Sequence, residues 1–361
     1  MNTSRLVGVA GIAAAALAFA MILASSAGGD APADAPPLHT PTSVASQHAI
    51  VPPADHHMHV WSPDAVELLR RMQEETDEEA IPLDQVRPLT AANAVAALDS
   101  AGIRRGVILS TAYFFGTPLM DVEDEEARVR AENDYVARQV ALHPERLTGF
   151  FSVNPLAGYA FDEIERCAEK PELTGLKLHM GNSDLDLEDP DHVKRLSEVF
   201  QKSDRLGLPI VIHLKNPRAA YGRRAVETFV EEVLPSAPDV PVQVAHLAGD
   251  GGFDEATREA VDAFAAAIED RPEVTRRLFF DYSATPIPTA LARGDSALLE
   301  RVHEMNRMVM ASLRKIAPER LVYGSDWPAI SAPVYLGIRS SLDLDEEELA
   351  ALLEGAAPYL P

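Results

Sequence analysis

Eight short strand-like runs, the clearest of them apolar and β-branched, recur between positions 51 and 328, with amphipathic stretches between them. The runs cover residues 53–59, 105–112, 147–153, 175–179, 209–214, 240–247, 278–283 and 321–325. Helical periodicity marks 124–142, 191–206, 223–234, 254–269 and 296–316 among the stretches between. Asp189-Pro190 has the form of a helix start, and Gly207 followed by Pro209 stops that helix before the next strand. Ile210-Val211-Ile212 has no polar alternation, so that strand is buried on both faces, as in a parallel sheet covered by helices. Eight strand–helix units in one domain predict a (β/α)8 TIM barrel. An open doubly wound sheet would carry a Gly-rich nucleotide turn after its first strand, and none is there. Gly249-Asp250-Gly251-Gly252 follows the sixth strand instead, without that spacing.

The barrel is expected over residues 51–361. Ahead of it, residues 1–27 read as an export segment: Arg5, then an apolar run from Leu6 to Ala24, then Ser25-Ser26-Ala27 as a small-residue cleavage site. The run is also just long enough to stay as an N-terminal membrane anchor. Residues 28–50 are rich in Ala, Pro and Asp and read as a flexible tether, with His39 and His48 incidental in it. The expected location is therefore periplasmic or extracellular. A net charge of −24 argues against nucleic acid or anionic membrane as partners. The single cysteine, Cys167, excludes an internal disulfide and reads as a buried small apolar residue. Residues 72–90, with their acidic run, read as an insertion in the first βα loop. Oligomeric state is not legible; a dimer fits a chain of this kind.

In a barrel the C-terminal ends of the strands converge on one mouth. The first strand ends in His57-Met58-His59, the fourth in Lys177-Leu178-His179, the fifth in His213 and the sixth in His246. The eighth runs into Gly324-Ser325-Asp326-Trp327-Pro328. His57 and His59 share a face by the two-residue period, as do Lys177 and His179. Packing does not explain histidine or aspartate at five strand ends; a shared metal site does. Trp61 and Trp327 flank the mouth, as a substrate wall or as loop packing. His56 faces away from His57. His143 fits a helix C-terminus, and His192 and His303 lie in exposed helical stretches. Asp281 on the seventh strand could point inward and receives no assignment.

These residues resemble the amidohydrolase superfamily, in particular the amidohydrolase-related branch (family 2) of hydrolases, lactonases and aminocarboxymuconate-semialdehyde decarboxylase-like enzymes. The resemblance spans residues 53–328. It implies one divalent metal, most often zinc, held by His57, His59, His213 and Asp326, with His246 as catalytic acid/base or carbonyl-polarising group. It also implies a second metal if Lys177 is a carboxylated bridge. Otherwise Lys177 holds a substrate carboxylate as a point charge, or is a structural lysine paired with an acid. His179 is expected to contact substrate.

Three imidazoles and one carboxylate leave a zinc ion one net positive charge and an open position for an activated water. Asp326 can ligate and also accept the water's proton. The expected activity is hydrolysis of an amide, ester or lactone of a small molecule. The alternative is non-oxidative decarboxylation of an aromatic or dienoic acid at the same site. Decarboxylating relatives carry a glycine run directly after the sixth-strand histidine, where this chain has Leu247-Ala248. A barrel that only binds ligand is the remaining alternative.

Overall fold

The computed structural model describes residues 50–76, 86–292 and 294–360. The expected leader, all of the tether but residue 50, and positions 77–85 of the expected insertion lie outside the described residues. Eight parallel strands follow one another around a single sheet in chain order: β1 (Ala54–Met58), β2 (Arg105–Leu109), β3 (Leu147–Ser152), β4 (Leu173–His179), β5 (Ile210–His213), β6 (Val242–Val244), β7 (Leu278–Asp281) and β8 (Leu321–Val322). The ring shuts where the backbone beyond β8 meets β1. His56 N donates to Tyr323 O at 2.8 Å and His59 N to Trp327 O at 2.8 Å. The protein is a (β/α)8 barrel, as its strand–helix alternation predicts.

Alternation along each strand sorts the side chains. On β5, Ile210 and Ile212 face the helices, while Val211 and His213 face the interior. The β4–β5 register sets Lys177 beside Val211 and His179 beside His213. Val107, Leu109, Phe150 and Val211 form a small apolar layer inside the barrel, separate from the larger shell between sheet and helices. Phe150 lies level with Gly175 on the next strand, and this register explains the glycine. A Cβ on Gly175 would meet the Phe150 ring at 2.2 Å.

The strands are shorter than predicted at the mouth. β6 stops at Val244 and β8 at Val322, because the chain then turns through left-handed backbone at His246, Leu247 and Ala248 and at Asp326. His246 and Asp326, predicted on strand ends, are thus carried on the turns just beyond them. The predicted helix at 223–234 is split into an α-helix (Arg223–Thr228) and a π-turn (Phe229–Val233). The first helix, Pro63–Thr76, runs into the expected insertion, so the start of that stretch is regular structure. No helix among the described residues is long and apolar enough to cross a membrane.

A buried polar network joins β2 and β3 to the helices Glu125–Ala141 and Ala160–Ala168. Asn133 Nδ2 donates to Ser152 O (2.9 Å) and Glu163 Oε1 (2.8 Å), while Asn133 Oδ1 accepts from Ser110 Oγ and Ser152 N. Cys167 is fully buried and its thiol donates to Glu163 at 3.1 Å. On the residue before Asn133, Glu132 accepts from Ser62 N (3.4 Å) and Thr111 Oγ1 (3.3 Å), tying together the turns that follow β1 and β2.

Two outcomes follow from this packing. Gly175→Ala should cost about 1–3 kcal/mol in a urea titration, since Phe150 has nowhere to move; a wild-type midpoint would show that the ring repacks freely. Burial pushes the Glu132 carboxyl from 4.5 up to about 7. A raised folded pKa favours the folded state fully below pH 4.5, and that contribution is lost as pH rises through about 7. Glu132→Gln should therefore stabilise the protein at pH 8.5, by on the order of 2–3 kcal/mol, and leave it nearly unchanged at pH 4.5. Equal effects at both pH values would contradict this.

Candidate metal centre

His57 on β1, His59 just past it and Asp326 just past β8 bring one ligand atom each within 4.8 Å of one another. Asp326 Oδ1 lies 3.5 Å from both His57 Nε2 and His59 Nε2. The backbone that closes the barrel makes this meeting, because Asp326 N donates to His57 O at 2.9 Å. Gly324 completes the fit: a Cβ there would sit 2.8 Å from the Cβ of His57 and 3.2 Å from that of Ser283.

Each candidate imidazole is fixed from behind. His57 Nδ1 donates to Asp281 Oδ2 at 3.1 Å, and His59 Nδ1 donates to Leu109 O at 2.8 Å. His246 Nδ1 donates to Ser283 O at 3.0 Å. With Nδ1 carrying the proton, Nε2 keeps a lone pair, the state a metal ligand needs. His56 and His179 differ. His56 is satisfied at both nitrogens, by Tyr323 O and by Ala357 N, so it is structural, as expected of a residue facing away from His57. His179 Nδ1 accepts from Asn182 N at 3.2 Å, which puts its proton on Nε2 and makes it a donor.

Asp281 is the residue that sequence reasoning left unassigned. Its two oxygens accept from His57 Nδ1, Gln243 Nε2 (2.7 Å), His246 N (3.1 Å), Ser283 N (3.2 Å) and Ser283 Oγ. Burial alone would raise this carboxyl; the His57 ring and its hydrogen bond, with His246 and Ser283, outweigh burial and hold it well below the usual range. Asp326 behaves likewise: burial opposes, but His59, His57 and His246 bring it down to about 2. Burial lowers His57 to about 3 and holds His179 and His213 well below the ordinary range, so these imidazoles are neutral at pH 7. Two buried carboxylates beside neutral imidazoles form a donor set suited to one divalent cation.

His246 stands in three consecutive left-handed residues, a conformation that costs about 1–3 kcal/mol per non-glycine residue. It is held by His246 N on Asp281, by Thr285 Oγ on His246 O (2.9 Å) and by Tyr221 OH on Ala248 O (2.6 Å). The turn places the His246 ring 4.6 Å from that of His57 and 4.9 Å from that of His213. His57, His246 and Asp281 form a second group of possible donors. The hydrogen bonds already made by Asp281 fit it better as the support for His57.

The other expected residues fall as follows. His213 is buried in the mouth, stacked on His179 at 4.0 Å, but outside both groups of converging donors. Its Nε2 lies 2.9 Å from Asp250 Oδ1 without hydrogen-bond alignment. Burial raises Asp250 well above the usual carboxylate range. Lys177 is fully buried, with no hydrogen-bond partner for Nζ and no carboxylate at ion-pair distance among the described residues. A structural ion pair therefore does not explain it. Burial lowers its ammonium to about 8, against the pull of Asp281 and Asp326. Trp61 pairs its backbone with Leu89 and is 4% exposed. Trp327 is 8% exposed and precedes a cis proline. Tyr113, on the turn after β2, packs its ring tilted against that of His179, with centroids 4.8 Å apart. No residue pattern marks Tyr113, whereas Asp281 was open to the same strand-end logic as the histidines.

The family model described as Amidohydrolase (Amidohydro_2) matches residues 54–358. The chain belongs to this amidohydrolase family. No curated protein sequence matches it. Among solved structures, the amidohydrolase barrel is similar to 5-carboxyvanillate decarboxylase from Sphingomonas paucimobilis (TM-score 0.54, 19% identity, 84% of this chain and 97% of that one). It is also similar to 5-carboxyvanillate decarboxylase from Novosphingobium aromaticivorans, complexed with manganese (0.54, 14%, 85% and 95%). A third is an amidohydrolase from Burkholderia multivorans with bound zinc (0.50, 14%, 83% and 95%). At these identities the likeness shows the fold.

Asp281→Asn tests the support role. An amide turns an N–H donor toward donors on one side in either orientation. Affinity for a divalent metal, measured by competition with a chromophoric chelator, should fall about 10- to 100-fold. Unchanged affinity would mean that Asp281 does not orient His57.

Proposed function

We propose that this amidohydrolase-family chain is a metal-dependent hydrolase that cleaves an amide, ester or lactone bond in a small molecule. The observation that carries the reading is the convergence of His57 Nε2, His59 Nε2 and an Asp326 oxygen, with both rings fixed through Nδ1. These three residues would hold one divalent cation, zinc in this reading; His213, which faces Asp250 in the same mouth, would have to turn toward the cation to serve as the fourth donor. When bound, the cation supplies the Lewis acidity that activates water and stabilises the oxyanion formed on attack.

The side chains do the rest. Asp326, ionised at neutral pH, is the base toward the attacking water. His246 can take a proton on Nε2 and return it to the leaving group, since its Nδ1 is committed to Ser283. The Lys177 ammonium and the Nε2–H of His179 offer donors to a substrate carbonyl or carboxylate.

A second reading, decarboxylation of an aromatic or dienoic acid, is favoured by that last pair. An unpaired buried ammonium beside an imidazole donor suits a carboxylate substrate. Two of the similar structures are decarboxylases of an aromatic acid, 5-carboxyvanillate.

Elemental analysis of purified protein should find about one divalent ion per chain, and His57→Ala should lose it together with turnover. Two ions would move Lys177 to a carboxylated bridge. No metal uptake, even with added zinc or manganese, would sink the reading. Lactones, esters and amides should be screened beside aromatic and dienoic acids, with acid release and CO2 followed in parallel. CO2 evolution without hydrolysis would replace the first reading with the second.

A further inference from the structure

The C-terminal segment enters the barrel from the end opposite the candidate metal centre. Tyr359 and Leu360 pack on the interior layer of Val107, Leu109, Phe150 and Val211. The Tyr359 ring meets the ring of Phe150 at 5.2 Å and that of His56 at 6.1 Å. Ala357 N donates to His56 Nε2 at 3.1 Å, so the segment grips the residue next to His57.

A hydrogen-bond chain then crosses the interior. Tyr359 OH donates to Gln243 Oε1, Gln243 Nε2 donates to Asp281 Oδ2 (2.7 Å), and the same oxygen accepts from His57 Nδ1 (3.1 Å). The order of donors is forced. Asp281 already accepts from the backbone N–H groups of His246 and Ser283 and from His57 Nδ1, so it meets Gln243 as an acceptor, and the amide presents Nε2 to it and Oε1 to the far side. The phenol hydroxyl is what rewards that orientation, since a flipped amide would point Oε1 at a carboxylate. Among the described residues, Gln243 Nε2 otherwise makes only a 3.5 Å contact, with His56 O.

We propose that Tyr359 is a positioning residue for the metal centre: its hydroxyl fixes the Gln243 amide, which holds Asp281 against His57, so that this one hydroxyl sets metal affinity at the opposite end of the barrel. The proposal rests on the metal reading of His57, His59 and Asp326.

The test is zinc and manganese affinity of metal-stripped full-length protein, by chelator competition, beside the thermal midpoint of each metal-free variant. Tyr359→Phe keeps the ring and its packing and removes only the hydroxyl. It should weaken zinc binding about tenfold, the lower end for residues that support metal ligands. Leu360→Ala removes packing from the same segment. It should lower the thermal midpoint at least as far, yet leave zinc affinity within about twofold of wild type. In a Gln243→Leu background, Tyr359→Phe should cause no further loss of affinity, because the link is already cut. The proposal fails if Tyr359→Phe binds zinc as wild type does, if affinity simply follows the thermal midpoint in both variants, or if the Tyr359→Phe loss persists without Gln243. A wild-type protein that takes up neither metal fails the metal reading itself, a distinct result.

Discussion

The site depends on the way the sheet closes. β8 is only two residues long, and the ring is completed by backbone bonds from the turn beyond it to β1. The Asp326 N–H that helps shut the barrel belongs to the residue whose carboxylate meets His57 and His59. Closure and donor assembly are one event. A chain that failed to close would lose the fold's last hydrogen bonds and its donor set together. Gly324 is the condition on both, because a side chain there would push His57 away from the seam.

Electrostatics inside the mouth are divided between two carboxylates. Asp281 is surrounded by donors and spends its charge on holding His57, Gln243, Ser283 and the His246 backbone. Asp326 has its charge aimed at two lone-pair-bearing imidazoles. Lys177 is the buried cation among them, and its ammonium has no hydrogen-bond partner among the described residues. Burying unpaired charge is expensive, and a fold keeps such an arrangement where a ligand completes it. Strained backbone at His246–Ala248 and Asp326 lies in the same few ångströms, as expected where geometry is set by chemistry rather than by local preference.

Much of this was legible in the residues. The alternation of runs predicted the barrel, and the strand-end rule found His57, His59, His179, His213, His246, Lys177 and Asp326 in the mouth. Local pattern could not supply what three-dimensional closure decides. It did not separate Asp281 as a support from Asp326 as a candidate ligand, since both are lone acids near strand ends. Nor did it show that His213 faces Asp250, because the Gly-rich turn after β6 folds back through left-handed conformations that no periodicity reports. The histidine tautomers were equally out of reach. They depend on Leu109 O, Ser283 O and Asn182 N, backbone groups that any residue could provide.

Cys167 has a practical side. The chain has no other cysteine, and this one is sealed in the network between two helices, where burial and Glu163 keep its thiol from ionising. Thiolate is the reactive form, so the folded protein behaves toward alkylating probes as though it had no cysteine. A single cysteine placed on an exposed position near the mouth would be the one labelled site, which opens the barrel to fluorescence and spin-label distance measurements without rebuilding its core.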